Sequence, residues 1–206
     1  MASKSQRDFV EVLQELSVNA EHALQLDRLV EELREHDSAT VYHCLRVATL
    51  AYEVGVELNL SPAALFYAGL LHDFGKLSVP RKVLAKSGIA FSSDDFQLVK
   101  GHPLYGYQFL KDRYPFSAEI LLRHHYFQRN RYPDPLPMLD TKYSAAETML
   151  IERCAQILAL VDFYDAFRTR GQRSQTDSTV FEALMEEYPE ERATIECLFA
   201  CSLFEE

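Results

Sequence analysis

Five histidines, His43, His72, His102, His124 and His125, lie in or at the ends of segments that are otherwise mostly apolar. His43 opens the stripe Leu45, Val47, Ala48, Leu50 and Ala51, and His72-Asp73 ends the run AALFYAGLL. Asp162 sits inside ILALVDFYDAF, where an ionised carboxylate is costly unless it is paired or bound to metal. A single histidine of this kind is more often a hydrogen-bonded core residue than a ligand. Five of them, with Asp73 and Asp162 on different helices, point instead to a metal centre. Imidazole and carboxylate donors suit Zn, Mn, Fe or Ni, and their mixture argues against calcium. The other two histidines, His22 beside Glu21 and His36 between Glu35 and Asp37, have polar neighbours and are read as surface residues.

Side chains so far apart in sequence need a scaffold, and the apolar spacing supplies helices nearly throughout. Phe9, Val12, Leu13 and Leu16 form one short amphipathic segment, and Leu26, Leu29, Val30 and Leu33 a second. A longer helix is expected from Ser38, as N-cap, to Leu58. Ser61-Pro62 opens the apolar helix that runs into His72-Asp73. Ser92-Ser93-Asp94-Asp95 is a further capping cluster, and Gly101-His102-Pro103 should break that segment before Tyr105–Lys111 resumes it. After a helix ending near His125, an irregular stretch runs from Tyr126 to about Tyr143, with prolines at 133, 135 and 137. Ser144 starts a long apolar helix to about Arg168, followed by helices over Thr176–Tyr188 and Glu190–Leu203. No β-rich run and no internal repeat interrupts the pattern. The expected fold is all-α, a single compact helical bundle over 37–206 preceded by a short helical extension, 1–36.

Bulk properties narrow the partners. A chain of 206 residues can bury about 70% of its unfolded surface without a staple. The balance of 21 Lys+Arg against 31 Asp+Glu, a net charge of −10, argues against general nucleic-acid binding and against an anionic membrane. It leaves room for a local basic pocket. The longest apolar run, Ala63 to Leu71, is nine residues, too short to span a bilayer. MASKSQRDFVEVLQ lacks the apolar centre of a signal peptide. Cys44, Cys154, Cys197 and Cys201 have no zinc-ribbon or CxxC spacing, and are expected to be buried, reduced thiols of a cytoplasmic protein.

The order of these elements resembles the HD superfamily of metal-dependent phosphohydrolases, and within it the HD-GYP branch. The resemblance covers about Ser38 to Arg173. It is carried by HxxRVA at His43, LLHDFGKLSVPRKVLAKSG, GHPLYGYQFL, RHH and VDFYDAF. It implies a binuclear site of two divalent transition metals, Fe or Mn foremost, with Zn, Ni or Co compatible. His43, His72 and Asp162 would hold one metal, His102, His124 and His125 the other, and Asp73 would bridge them. A hydroxide shared by two such ions would attack phosphorus in line. The resemblance also implies that Lys76, three residues beyond Asp73, contacts the scissile phosphate. Arg170 and Arg173 match a phosphate-clamp spacing after a one-residue gap, and read equally as a solvated basic turn. The implied ligand is an anionic, phosphate-containing small molecule, and a homodimer or a regulatory protein partner stays open.

The GYP signature itself is altered. Where the branch reads HHExxDGxGYP, this chain has HHYFQRNRYP. Tyr126 replaces the glutamate, the Asp-Gly pair is missing, and of the last three residues only Tyr132-Pro133 survive. Arg129 and Arg131 read equally as reaching the substrate pocket or covering the surface. Ala39 stands where members with a third metal have a glutamate, which argues against a trinuclear site. The expected activity is cleavage of a phosphodiester or a nucleotide phosphate, with cyclic di-GMP as the family-derived candidate. The alternatives are a mixed-valent di-iron oxygenase and a nucleotide-sensing module without turnover.

Overall fold

The computed structural model describes residues 7–86, 90–139, 142–169 and 179–205. The described residues are helical with no strand, as the sequence pattern requires. Helix α9 (Ala145–Thr169) is the axis of the fold, and Ile151, Ala155, Leu158, Ala159 and Val161 along it are fully buried. It packs against α3 (Ser38–Glu57) and α8 (Pro115–Arg123), and α4 (Pro62–Leu71) fills the space among all three. Gly69 on α4 lets it lie directly on α3, since a Cβ there would stand 2.9 Å from the Ala48 Cα. The two short helices α1 (Phe9–Glu15) and α2 (Ala20–His36) lie on this bundle, burying Val12, Leu26 and Leu33. Arg7 adds an ion pair to the buried Glu53 of α3.

Local signals set most boundaries. Asp8 with Glu11, Ser92 with Asp95 and Thr179 with Glu182 each form reciprocal capping boxes at the starts of α1, α6 (Ser93–Lys100) and α10 (Val180–Glu187). Ser144 and Glu147 exchange the same pair of bonds ahead of α9. Helix α11 (Arg192–Ala200) closes the chain after the short 3-10 turn Pro189–Glu191. One short helix, α5 (Arg81–Leu84), lacked a sequence signal.

Several expectations are corrected. Ser38 is the first helical residue of α3 and Asp37 the cap; the Asp37 carboxylate is taken by the Thr40 hydroxyl at 2.6 Å. Helix α10 runs from Val180 with Thr179 as its cap, and the expected start at Thr176 lies outside the described residues. His22 and His36 are not free surface groups. His22 Nε2 meets the Tyr114 hydroxyl at 2.9 Å and its ring stacks with Tyr67 and Tyr114, so it ties α2 to the body. His36 Nε2 donates to the Val79 carbonyl at 2.8 Å. Cys44 and Cys154 are buried as expected, but Cys197 is exposed.

The segment that matters most for the site is the end of α4. The helix stops at Leu71, His72 and Asp73 turn the chain, and Phe74–Ser78 form a 3-10 turn. That turn lies against α7 (His102–Leu110), with Gly75 facing Gly106. A Cβ on Gly75 would stand 1.9 Å from the His102 carbonyl oxygen and 2.6 Å from the Gly106 nitrogen. Only glycine permits the approach.

Candidate metal centre

All seven histidine and aspartate candidates converge. His43 comes from α3, His72 and Asp73 from the end of α4, His102 from the first residue of α7, His124 and His125 from the end of α8, and Asp162 from α9. Three triads among them, His43/His72/Asp73, His72/His124/Asp162 and His102/His124/His125, each place one donor atom apiece within 4.8 Å of the others. His43, His72, Asp73, His102, His124 and Asp162 are buried, and His125 is partly so.

The hydrogen bonds at the back of each imidazole fix its face. His72, His102 and His124 each turn Nδ1 onto the backbone carbonyl three residues earlier, Gly69, Val99 and Leu121, at 2.8, 2.8 and 2.5 Å. Donation from Nδ1 leaves Nε2 as a bare lone pair, which is how ligating imidazoles are prepared. The consequence is visible in front. His102 Nε2 and His124 Nε2 face each other at 3.4 Å, and His102 Nε2 also faces Asp73 Oδ1 at 3.2 Å. His72 Nε2, buried, has no hydrogen-bond partner, with Asp73 Oδ2 3.4 Å and Asp162 Oδ1 3.6 Å away. Lone pairs and carboxylate oxygens aimed at one another repel unless a cation lies among them. The donor set therefore fits divalent metal ions.

Asp73 stands at the centre. Its Oδ1 faces His102, and its Oδ2 faces His72 and takes the Lys76 ammonium at 2.6 Å. Burial opposes its charge, but Lys76 and the surrounding histidines hold its carboxyl well below the usual range. Asp162 is held low in the same way, against burial, by the hydrogen bond from His43 and the nearby His72 ring. Burial opposes protonation of His72 too, yet the adjoining Asp73 holds it well above its ordinary value. Burial lowers His102 to about 3 and His124 to about 4, and pushes His125 well down.

Sequence reasoning missed the residues that hold the ligands in place. His43 puts Nε2 on Asp162 Oδ1 at 2.9 Å and Nδ1 on Asp165 Oδ2 at 2.6 Å. Asp165 is clamped by the Arg46 fork, Nε to Oδ1 at 2.7 Å and Nη2 to Oδ2 at 2.8 Å. The signal was present: Asp165 lies one helical turn after Asp162 in the same apolar run, and so carries the same burial cost. Behind His124, Arg123 is fully buried on Glu119 and reaches the Pro137 carbonyl, tying that part of the proline-rich stretch to α8. Tyr132, the survivor of the altered motif, is buried with its ring on His125, centroids 4.4 Å apart and planes 28° apart. Arg129 and Arg131 take the surface reading: Arg129 pairs with Glu186, and Arg131 covers Tyr126, both exposed. Arg170 and Arg173 lie outside the described residues.

A cavity of about 430 Å³ opens beside His43 and Lys76, walled by Thr40, Tyr42, Arg46 and Phe91. A second, of about 570 Å³, lies behind Arg46. Two of its guanidinium groups are already committed, Arg7 to Glu15 and Glu53 and Arg46 to Asp165. The first cavity is the one that reaches the centre.

Comparison with known proteins agrees with this geometry. The HD domain family model matches residues 40–166. The cyclic di-GMP phosphodiesterase response regulator RpfG of Xanthomonas campestris pv. campestris is 32% identical over 149 residues, covering 68% of this chain and 36% of its own. A cyclic di-GMP phosphodiesterase of Thermotoga maritima is 28% identical over 155 residues, covering 71% of this chain and 39% of its own. The chain thus spans well under half the length of these relatives. Among solved structures, the HD domain of the L. monocytogenes phosphodiesterase PgpH aligns with a TM-score of 0.57 at 15% identity, over 85% of this chain and 95% of that one. The same domain in complex with cyclic-di-AMP aligns with a TM-score of 0.57 at 16% identity, over 85% and 94%. These structures share the all-α fold. Since the family match spans well over half of the sequence and takes in every histidine and aspartate of the centre, the chain belongs to the HD domain family.

Proposed function

We propose that this chain is a metal-dependent phosphohydrolase that opens a phosphodiester, with a cyclic dinucleotide as the substrate class. The observation that carries the reading is Asp73, whose two oxygens face two different imidazoles, His102 and His72. In this reading His43, His72 and Asp162 hold one divalent metal, His102, His124 and His125 hold the other, and Asp73 is a ligand to both. Bound divalent ions supply Lewis-acid chemistry, lowering the pKa of water and neutralising charge on phosphoryl oxygens. Fe or Mn suits the mixed imidazole and carboxylate donors, with Zn, Ni and Co compatible.

The chain's own groups do the rest. The bonds from Nδ1 to the backbone hold three Nε2 atoms in place before any substrate arrives, so little reorganisation remains for the reaction. Lys76 sits on Asp73 at the wall of the cleft, where its ammonium can turn to a phosphoryl oxygen. Arg46, on the same wall, adds a second cation while it steadies Asp165. Arg170 and Arg173 enter this reading by motif spacing alone. The cyclic dinucleotide class is supported by the names of the relatives and by the cyclic-di-AMP complex of the related HD domain.

The test is metal analysis of the purified chain with a substrate panel of cyclic di-GMP, cyclic di-AMP and a p-nitrophenyl phosphodiester. Two ions per chain and a linear dinucleotide product are expected. Tight binding of a cyclic dinucleotide without turnover under Mn or Fe would replace hydrolysis with sensing. An iron-specific EPR signal with no hydrolysis would move the reading to oxygen chemistry.

A further inference from the structure

Three of the four histidines around His124 are oriented by their own helices, through the carbonyl three residues back. His125 is the exception. It lies beyond the last residue of α8, and its Nδ1 goes to the side-chain oxygen of Gln128 at 2.8 Å. The amide oxygen can only accept, so Nδ1 donates in this contact and Nε2 is the bare nitrogen of His125.

A hydrogen bond at one atom leaves the ring free to swing about that axis. The Tyr132 ring, stacked on His125, removes this freedom, and edge contacts of His125 and Tyr132 with His102 close the third side. Phe96 lies edge-on to Tyr132, so the stack is backed by α6.

We propose that Gln128 and Tyr132 are positioning residues for His125, doing through a loop what helical carbonyls do for the neighbouring histidines; this rests on the binuclear reading above. It also gives the altered signature a purpose. Gln128 lies within the stretch where the usual glutamate and Asp-Gly pair are absent, and Tyr132 is the residue that persists. Because the Gln128 partner is a neutral amide, whereas His43 has the Asp165 carboxylate, the ion beside His125 should be the more weakly held of the two.

The experiment is a metal titration of the whole chain, by calorimetry and by chelator competition, on the wild type and on Gln128→Leu, Gln128→Glu, Tyr132→Leu and Tyr132→Phe. Gln128→Leu should weaken one of two ions about 10–100-fold and leave the other unchanged, the usual scale for losing a ligand's hydrogen-bond partner. Gln128→Glu should restore that ion or tighten it, which a merely structural role would not do. Tyr132→Leu should weaken the same ion, and Tyr132→Phe should keep the stack and the affinity. The melting temperature of the metal-free variants serves as the folding control. Equal loss of both ions, or no weakening of either ion in Gln128→Leu with a normal melting temperature, overturns the proposal. Fewer than two ions on the wild type overturns it together with the binuclear site. Two ions without hydrolysis sinks the phosphohydrolase reading alone and leaves the positioning roles standing.

Discussion

The centre has two halves built on different principles. Around His43 and Asp162, the donors sit inside or at the end of long, buried helices, and carboxylates supply both the ligand and the orienting partner. Around His102, His124 and His125, the donors sit at the first residue of α7 and just past the end of α8, and every orienting partner is neutral. His72 of the first half also rests on a backbone carbonyl, so what sets that half apart is the Asp165 charge behind His43, while the second half has only backbone and amide groups. An ion in the first half meets more negative charge and more basic imidazoles. Under the binuclear reading proposed above, the difference implies one firmly held and one more exchangeable ion.

The largest effect is expected at the single residue that belongs to both halves. Asp73→Asn should abolish the second binding step in a metal titration and cut turnover by about 10³-fold or more, since charge stabilisation at both positions is disturbed. Two ions with near-normal turnover would dissolve the distinction between a shared and an unshared ligand. Next comes Asp165→Asn, which keeps the hydrogen-bonding shape but removes the charge behind His43. A loss of about 10–100-fold in affinity for the tighter ion is expected by chelator competition, with the weaker ion spared. If the weaker ion is lost instead, the assignment of the two halves is reversed.

Acid should sharpen the contrast in the metal-free chain. Burial holds His102 at about 3 and His124 at about 4, against 6.5 in an open chain. Between those limits the unfolded state binds more protons, so their contribution is complete above about pH 6.5 and lost as pH falls toward 4 and 3. His72 has the opposite sign: raised in the fold, it contributes fully below 6.5, and the contribution disappears as pH rises through its folded value. Asp73 and Asp162, both lowered, contribute above about 3.8 and lose it only in stronger acid. The melting temperature should therefore fall between pH 6.5 and 4, before the carboxylates titrate. A flat profile over that range would contradict the buried neutral state of His102 and His124. The smallest effect belongs to Arg129→Ala, whose side chain pairs with Glu186 at the surface; activity should change less than about twofold.

How much of this was legible in sequence follows the same division. The helical class and the convergence of all seven histidines and aspartates came from apolar periodicity, costly polar residues in apolar runs and a family resemblance. Those signals are local. Asp165 stood beside Asp162 in the same run and could have been read the same way. The roles of His22 and His36 could not, because their partners Tyr114 and Val79 are 92 and 43 residues away. Gln128 is legible only once the loop is known to bring its side chain back to His125. Arg129 and Arg131 were left open for a related reason, since only the position of α10 decides where an arginine on that loop can go. The start of α3 erred by the one residue that separates a cap from the first turn, at Asp37.

The contact between Gly75 and the first turn of α7 sets the spacing of the two halves. His72 and Asp73 precede the glycine by a few residues, and the His102 carbonyl is the atom its missing Cβ would strike. The span between the halves is gauged by main chain against main chain, with no side chain as a shim. A methyl group at position 75 would act as a spacer, prising His102 away from Asp73 while leaving every donor atom chemically intact. The chain would then keep a complete set of ligands and lose the ruler that makes them one centre.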